Sequence, residues 1–213
     1  MVQRMDSRRN QTKSNIFHLM TSLIDQHGAE QITIRQITRS LGIASSAFYK
    51  HFSSKEELLD GVLVYTSQKV CDGFREKYQG VLLSKPSVEQ LYLFGIYLHE
   101  QFLLHENTMH FLFFSASALK AYSEFNIKGQ AASNFALLNE ALRIIEEVKN
   151  DNGLSSDVQT LCTKWWAFLQ GYTLLVMTNV IEPNNIIIAN AIDDVICGDM
   201  FRDSKKAEDA SPQ

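Results

Sequence analysis

The stretch from Thr33 to Leu59, TIRQITRSLGIASSAFYKHFSSKEELL, constrains this chain more than any other. Thr33 with Gln36 three residues on has the S/T-x-x-E/Q arrangement that caps a helix start. Ile34, Ile37 and Leu41 follow at helical spacing, and Gly42 breaks the helix. After Ile43 comes a run of small residues, Ala44-Ser45-Ser46-Ala47, and then Phe48, Tyr49 and Phe52. A short helix, a tight turn containing Gly and a second short helix make a helix-turn-helix pattern. Ser53 to Glu57 opens a fresh helix. Ser54 with Glu57 forms one capping frame there, and Ser53 with Glu56 forms another.

The residue types suit a helix end placed against a duplex. Ala44, Ser45, Ser46 and Ala47 are short enough for close approach to base edges, and the serine hydroxyls can donate or accept there. Phe48 and Phe52, four apart, are expected to anchor the helix inward, leaving Tyr49, Lys50 and His51 to point elsewhere. Tyr49 and Lys50 suit phosphate oxygens, which fix register without reading sequence. Thr33 and Arg35 are placed to hold the adjacent backbone. Lys55 opposes the dipole of the helix it starts, a cost that a nearby phosphate would relieve. The candidate DNA-binding residues are therefore Thr33, Arg35, Ser45, Ser46, Tyr49, Lys50, His51 and Lys55.

Gly28, Thr33, Ile37, Gly42-Ile43, Phe48-Tyr49-x-His51-Phe52 and Ser54 to Leu58 together resemble the N-terminal signature of TetR-family transcriptional regulators. The match covers roughly residues 10 to 70 with continuous spacing, which is more specific than an isolated helix-turn-helix pattern. The resemblance implies an all-α chain: an N-terminal three-helix module, then a helical bundle that binds a ligand and dimerises, usually acting as a repressor. It divides the chain into a DNA-binding domain over 10–70, a ligand-binding and dimerisation domain over 71–203 and a disordered polar tail over 204–213. Two positions depart from the pattern. Ala44 stands where Ser or Thr is common and Ser46 where Gly is frequent, so capping of the recognition helix is expected to shift to Ser45.

Charge is distributed to match. The net charge is −4, yet residues 1–55 carry eight Lys or Arg (Arg4, Arg8, Arg9, Lys13, Arg35, Arg39, Lys50 and Lys55) against three acids. That balance of +5 leaves −9 on the remainder, so one basic end sits on an acidic body. With 3 Pro and 10 Gly thinly spread, a turn-rich all-β chain is disfavoured. No run of about 18 uncharged apolar residues occurs, so no membrane span is expected. The N-terminus lacks an apolar secretory core, which points to the cytoplasm. Cys71, Cys162 and Cys197 show neither metal spacing nor a disulfide framework and read as buried or half-buried thiols in a reducing compartment.

The rest reads as successive helices. Residues 8–27 are amphipathic through Ile16, Phe17, Leu19, Met20, Leu23 and Ile24, and Gly28 stops them. Leu58 to Tyr78 continues as one helix despite Gly61 and Gly73, where bending is expected. Further helices are expected over Ser87–Leu104, Asn107–Tyr122, Ala132–Lys149, from Ser155-Ser156-Asp157 to Val180, and Ile186–Phe201. Breaks fall at 123–131, at Asn150 to Gly153 and at Glu182 to Asn185. Tyr97, Phe102, Phe111, Phe114, Trp165, Trp166 and Tyr172 are an aromatic supply that suits a pocket for a small apolar or amphipathic effector. The last two helices carry more apolar surface than one bundle face needs, as a homodimer interface would.

No Gly-rich phosphate loop, nucleophile elbow or Cys–His signature supports an enzyme, and no catalytic residue is assigned. His99, His105 and His110 do not share a helix face, so no metal or other cofactor is expected. A helical interaction protein, whose helix-turn-helix serves structure alone, is the remaining alternative.

Overall fold

A computed structural model describes residues 2–128 and 134–209, with side chains over 12–124 and 134–199. The regular elements among the described residues are all helical: α1 Val2–His27, α2 Ile34–Ser40, α3 Ser45–Phe48, α4 Lys55–Lys77, a 3-10 turn Leu82–Ser84, α5 Ser87–Leu104, α6 Glu106–Phe114, α7 Ala116–Lys128, α8 Ala136–Asn152, α9 Val158–Met177 and α10 Asn185–Asp209. The all-α expectation holds. The chain forms two compact units, one from Met1–Gly73 with Phe102–Leu137, the other from Phe74–Gln101 with Leu138–Gln213. The first division between the units, after Gly73, falls inside α4, which runs unbroken from Lys55 to Lys77.

Local chemistry sets the element ends. Gly28 and Gly42 adopt φ of 76° and 62°, the left-handed conformation that stops α1 and turns α2 into α3. The single helix expected over 107–122 is two. Ser115 leaves helical geometry at φ −69°, ψ 160°, and its hydroxyl then accepts from Ala118 N–H at 3.1 Å, capping α7. α7 continues to Lys128, past the break expected at 123. α8 persists to Asn152, where the sequence suggested a loop from Asn150. There Asn152 Nδ2 donates to Val148 O at 2.8 Å, and Leu154 N–H closes back on Lys149 O at 3.0 Å around left-handed Gly153. α10 is helical to Asp209, eight residues beyond the expected stop at Phe201. Lys205, Lys206, Ala207 and Glu208 are good helix formers, so the backbone propagates without apolar residues to bury. Of the tail expected over 204–213, the last four residues lie outside the described residues.

In the first unit, Ile16, Met20 and Ile24 of α1 are buried with Ile37, Phe48, Phe52, Leu58 and Val62. Burying such side chains contributes about 1.5–3 kcal/mol each. Gly61 on α4 admits the Phe17 ring, since a Cβ there would lie 2.7 Å from its Cζ. This glycine serves close approach rather than the bend anticipated from sequence. In the second unit Gly95 plays the same part, with Ile188 of α10 2.9 Å from where its Cβ would be. Phe74, Phe94 and Trp165 build that unit's aromatic core, with centroids 4.9 Å and 5.9 Å apart.

Candidate nucleic-acid interface

The helix-turn-helix forms as its residue types dictate. Thr33 caps α2. Its Oγ1 accepts from Gln36 N–H at 3.3 Å, and Gln36 Oε1 accepts from Thr33 N–H at 2.8 Å, completing the box. Ile43 N–H donates to Thr38 O at 3.0 Å and closes the turn. α3 starts at Ser45, but its N-cap is Ala44, which has no side-chain cap. Capping therefore does not shift to Ser45. That serine lies one position inside the helix, with its hydroxyl uncommitted to the cap. Helical hydrogen bonding continues past α3 through His51 N–H to Phe48 O at 2.9 Å and Phe52 N–H to Phe48 O at 3.1 Å.

Phe48 is fully buried and Phe52 nearly so, with ring centroids 5.6 Å apart. Phe17 joins them from α1 at 5.9 Å from Phe52. This base fixes the tip and turns Ala44, Ser45, Ser46, Tyr49 and Lys50 outward, all exposed. Tyr49, 55% exposed, braces edge-on against Phe48 at 5.3 Å. Thr33, Arg35 and Arg39 are also exposed. Arg39 was not among the residues singled out. Its place in the last turn of α2, beside the Gly42 turn, was the available signal.

Lys55 is engaged with the protein itself, and His51 is partly turned inward. Lys55 Nζ donates to Ala29 O at 3.1 Å, tying the start of α4 to the loop after α1. His51 is half-buried, and its Nδ1 is enclosed without a hydrogen-bond partner among the described residues. Lys13 holds its ammonium 5.5 Å from the Phe52 ring centroid. Arg4, Arg8 and Arg9 have side chains outside the described residues. α4 begins with Ser54 Oγ accepting from Glu57 N–H at 3.1 Å, while the Glu57 carboxylate accepts from Ser53 N–H at 2.6 Å. Hydrogen bonds from Ser53 hold the Glu57 carboxyl below its ordinary pKa.

α1 is held at its other end by a polar clasp on α6. Asp25 accepts from Thr108 Oγ1 at 2.7 Å and lies 3.1 Å from His105 Nδ1, while Asn107 Nδ2 donates to Asp25 O at 2.9 Å. Nothing local could reveal this clasp, since its partners stand at least 80 residues apart.

Of the aromatics proposed for an effector, Phe102 and Phe111 are buried in the first unit, and Phe114 there is half-buried. Tyr97, Trp165, Trp166 and Tyr172 are buried in the second. That unit also encloses polar atoms the aromatic reading passed over. Both ring nitrogens of His99, Trp165 Nε1 and Thr173 Oγ1 have no hydrogen-bond partner among the described residues. Burial lowers the His99 pKa, so the ring is neutral near neutral pH. Tyr172 Oη is engaged, donating to Asn184 O and accepting from Asn184 N–H.

Cys71 and Cys162 are buried, and burial pushes the Cys162 thiol up to about 12. Cys197 is exposed on α10, contrary to the half-buried expectation. The described residues hold no group of three or more His, Cys, Asp or Glu arranged for a metal ion. No helix among them is long and apolar enough to cross a membrane.

Residues 20–62 match the model of the bacterial regulatory proteins, tetR family. The helix-turn-helix region is thus similar to that of the bacterial regulatory proteins of the tetR family. Among curated relatives, the HTH-type transcriptional regulator UidR of Escherichia coli K12 is 23% identical over 91 residues, which is 43% of this chain. The match spans 46% of UidR's own length. Among solved structures, RolR in complex with resorcinol superposes with a TM-score of 0.66 at 17% identity, covering 89% of this chain and 93% of RolR. The fatty acid degradation regulator FadR from Bacillus halodurans gives 0.61 at 16% identity, covering 86% and 94%. These two likenesses show a shared fold.

Proposed function

We propose that this protein is a ligand-responsive DNA-binding repressor that acts as a homodimer on a roughly palindromic site in the cytoplasm. The observation that carries the reading is the exposed set Ala44, Ser45, Ser46, Tyr49 and Lys50 seated on buried Phe48 and Phe52. A duplex major groove is wide enough for such a tip. Tyr49, Lys50, Arg35 and Thr33 supply phosphate contacts around it, and Ser45 and Ser46 reach toward base edges. Two copies on a two-fold axis place two tips one helical turn apart. The chain's division into a DNA-binding part over 10–70 and an effector and dimerisation part over 71–203 belongs to the same reading.

The effector we propose is small and apolar or amphipathic. RolR is a ligand-bound relative in fold, and the buried aromatics with the unpartnered atoms of His99, Trp165 and Thr173 favour a guest with one polar group. It must bind one arrangement of the dimer better than the other, since equal binding shifts nothing. The reading needs no catalytic step and no cofactor.

Fluorescence anisotropy against the chain's own upstream DNA and a random duplex tests the reading. Sequence-specific binding that weakens steeply with salt is expected. Tyr49→Ala with Lys50→Ala should abolish it while leaving melting temperature and dimer mass unchanged. Equal affinity for both duplexes would favour a helical interaction protein instead.

A further inference from the structure

In the second unit, unpaired polar atoms line up between α5 and α9. His99 is 2% exposed, Thr173 1% and Trp165 1%, yet both His99 ring nitrogens, Thr173 Oγ1 and Trp165 Nε1 have no hydrogen-bond partner among the described residues. An unpaired polar group is costly in an interior, so each calls for a partner. Thr173 had one within reach. Thr163 and Thr178, on and just past the same helix, return their hydroxyls to the carbonyl four residues back, at 2.8 Å each. The Thr173 hydroxyl does not. On α9, Tyr172 and Thr173 come two turns after Trp165 on one buried face. On α5, His99 comes one turn after Gly95. A Cβ at Gly95 would lie 3.7 Å from Trp165 Cζ2, and the His99 ring centroid is 5.2 Å from that of Tyr172. His99 therefore meets the Tyr172–Thr173 end of the α9 face, and Trp165 marks the other end.

Donor and acceptor chemistry limits what can pair there. Burial keeps the His99 ring neutral, so one nitrogen donates and the other accepts, and the Thr173 hydroxyl can do either. A carboxylate only accepts and needs a buried cation, but no lysine or arginine of this unit is buried among the described residues. An ammonium needs a free buried carboxylate. Glu140 is taken by Arg75 and Arg143, and Asp199 by Ser155 and Ser156. A hydrocarbon pairs with nothing, and a ketone leaves the accepting nitrogen unpaired. A hydroxyl donates to His99 and accepts from Thr173. We infer that His99 and Thr173 hold the hydroxyl of a small uncharged alcohol or phenol, whose apolar body lies toward Trp165. Tyr172 links this place to α10, since its hydroxyl donates to Asn184 O at 3.0 Å and accepts from Asn184 N–H at 2.7 Å. The regulatory consequence rests on the proposed function, but the binding does not.

The chain's two tryptophans, Trp165 and Trp166, both lie in this unit, so intrinsic fluorescence reads occupancy. Titration of the full chain with benzyl alcohol, toluene, benzoate and benzylammonium tests the inference, with anisotropy on upstream DNA run alongside. Saturable binding of benzyl alcohol is expected, about tenfold tighter than toluene, with neither ion bound. Thr173→Val keeps the side-chain shape without the hydroxyl and should weaken benzyl alcohol about tenfold, to the level of toluene. His99→Phe should do the same. Both variants should melt no lower than the wild type, since each removes unpaired polar atoms. No saturable binding of benzyl alcohol, equal binding of toluene, binding of either ion, or an affinity unchanged in Thr173→Val overturns the inference. Alcohol binding without sequence-specific DNA binding would sink the regulator and leave this site standing, whereas the reverse result would sink the site alone.

Discussion

The tip built from α2 and α3 and the pair built from α9 and α10 expose opposite chemistry. The tip hides its large apolar residues, Ile37, Phe48 and Phe52, and shows small polar, aromatic and basic ones. The C-terminal pair buries Leu161, Trp165, Leu169, Ile188 and Ile192, yet still shows Leu174, Leu175, Ile186 and Ile187, with Val180 between them. Val180 is 65% and Ile186 66% exposed. Gly171 on α9 has open space where a Cβ would be. A surface with its apolar content withdrawn is suited to a charged, hydrated polymer. One with apolar side chains left out is suited to another apolar surface, and a second copy of the same pair is the proposed occupant.

The contrast can be broken from either side. Phe48→Ala should have the largest effect, because it empties a fully buried site beneath the tip. A loss of about 3–5 kcal/mol is expected, read by urea denaturation. Little loss would mean that the tip does not depend on its aromatic base.

The C-terminal pair depends on a buried carboxylate instead. Asp199 of α10 accepts from Ser155 N–H at 2.9 Å and Ser156 N–H at 3.0 Å, and from the Ser156 hydroxyl, just ahead of α9. Burial alone would raise its pKa, but the Ser156 and Ser155 hydrogen bonds hold it below the ordinary value. Asp199→Ala strands those donors, at about 1–3 kcal/mol. The depressed pKa fixes the sign of the pH effect. Stability from Asp199 is complete above the unfolded value near about 3.9 and is lost as pH falls through the lower folded one. Acid unfolding of the wild type should therefore be steeper than that of the variant.

Leu174→Lys with Ile186→Lys should cost each folded protomer little, since both side chains are exposed, but should shift sedimentation to the monomer. A persistent dimer would move the interface elsewhere. The smallest effect is expected for Thr33→Ala, about 1 kcal/mol from the lost α2 cap. Its DNA affinity should fall further than that if the Thr33 hydroxyl also reaches phosphate.

What could be read in advance follows the range of the interaction. The capping box at Thr33, the stop at Gly42 and the inward pair Phe48 and Phe52 are settled within four or five residues, and all three appear as their spacing implies. The break at Ser115 was missed because the flanking apolar run, Met109 to Phe114, carries no stop signal of its own. The bond from Lys55 to Ala29 O could not be read in advance, because its acceptor is 26 residues away. Gly61 looked like a weakness in a helix until the ring of Phe17 gave it a purpose.

The amino-acid order by itself determined the helical class, the helix-turn-helix and which of its faces carries charge, because periodicity, caps and side-chain size act locally. Tertiary structure alone decided that Asp25 clasps α6, that Asp199 closes on Ser155 and Ser156, and that Lys120 of α7 donates to Asp60 of α4. These groups lie far apart along the chain. Only packing of their helices brings them within hydrogen-bond range, and no local propensity encodes that distance.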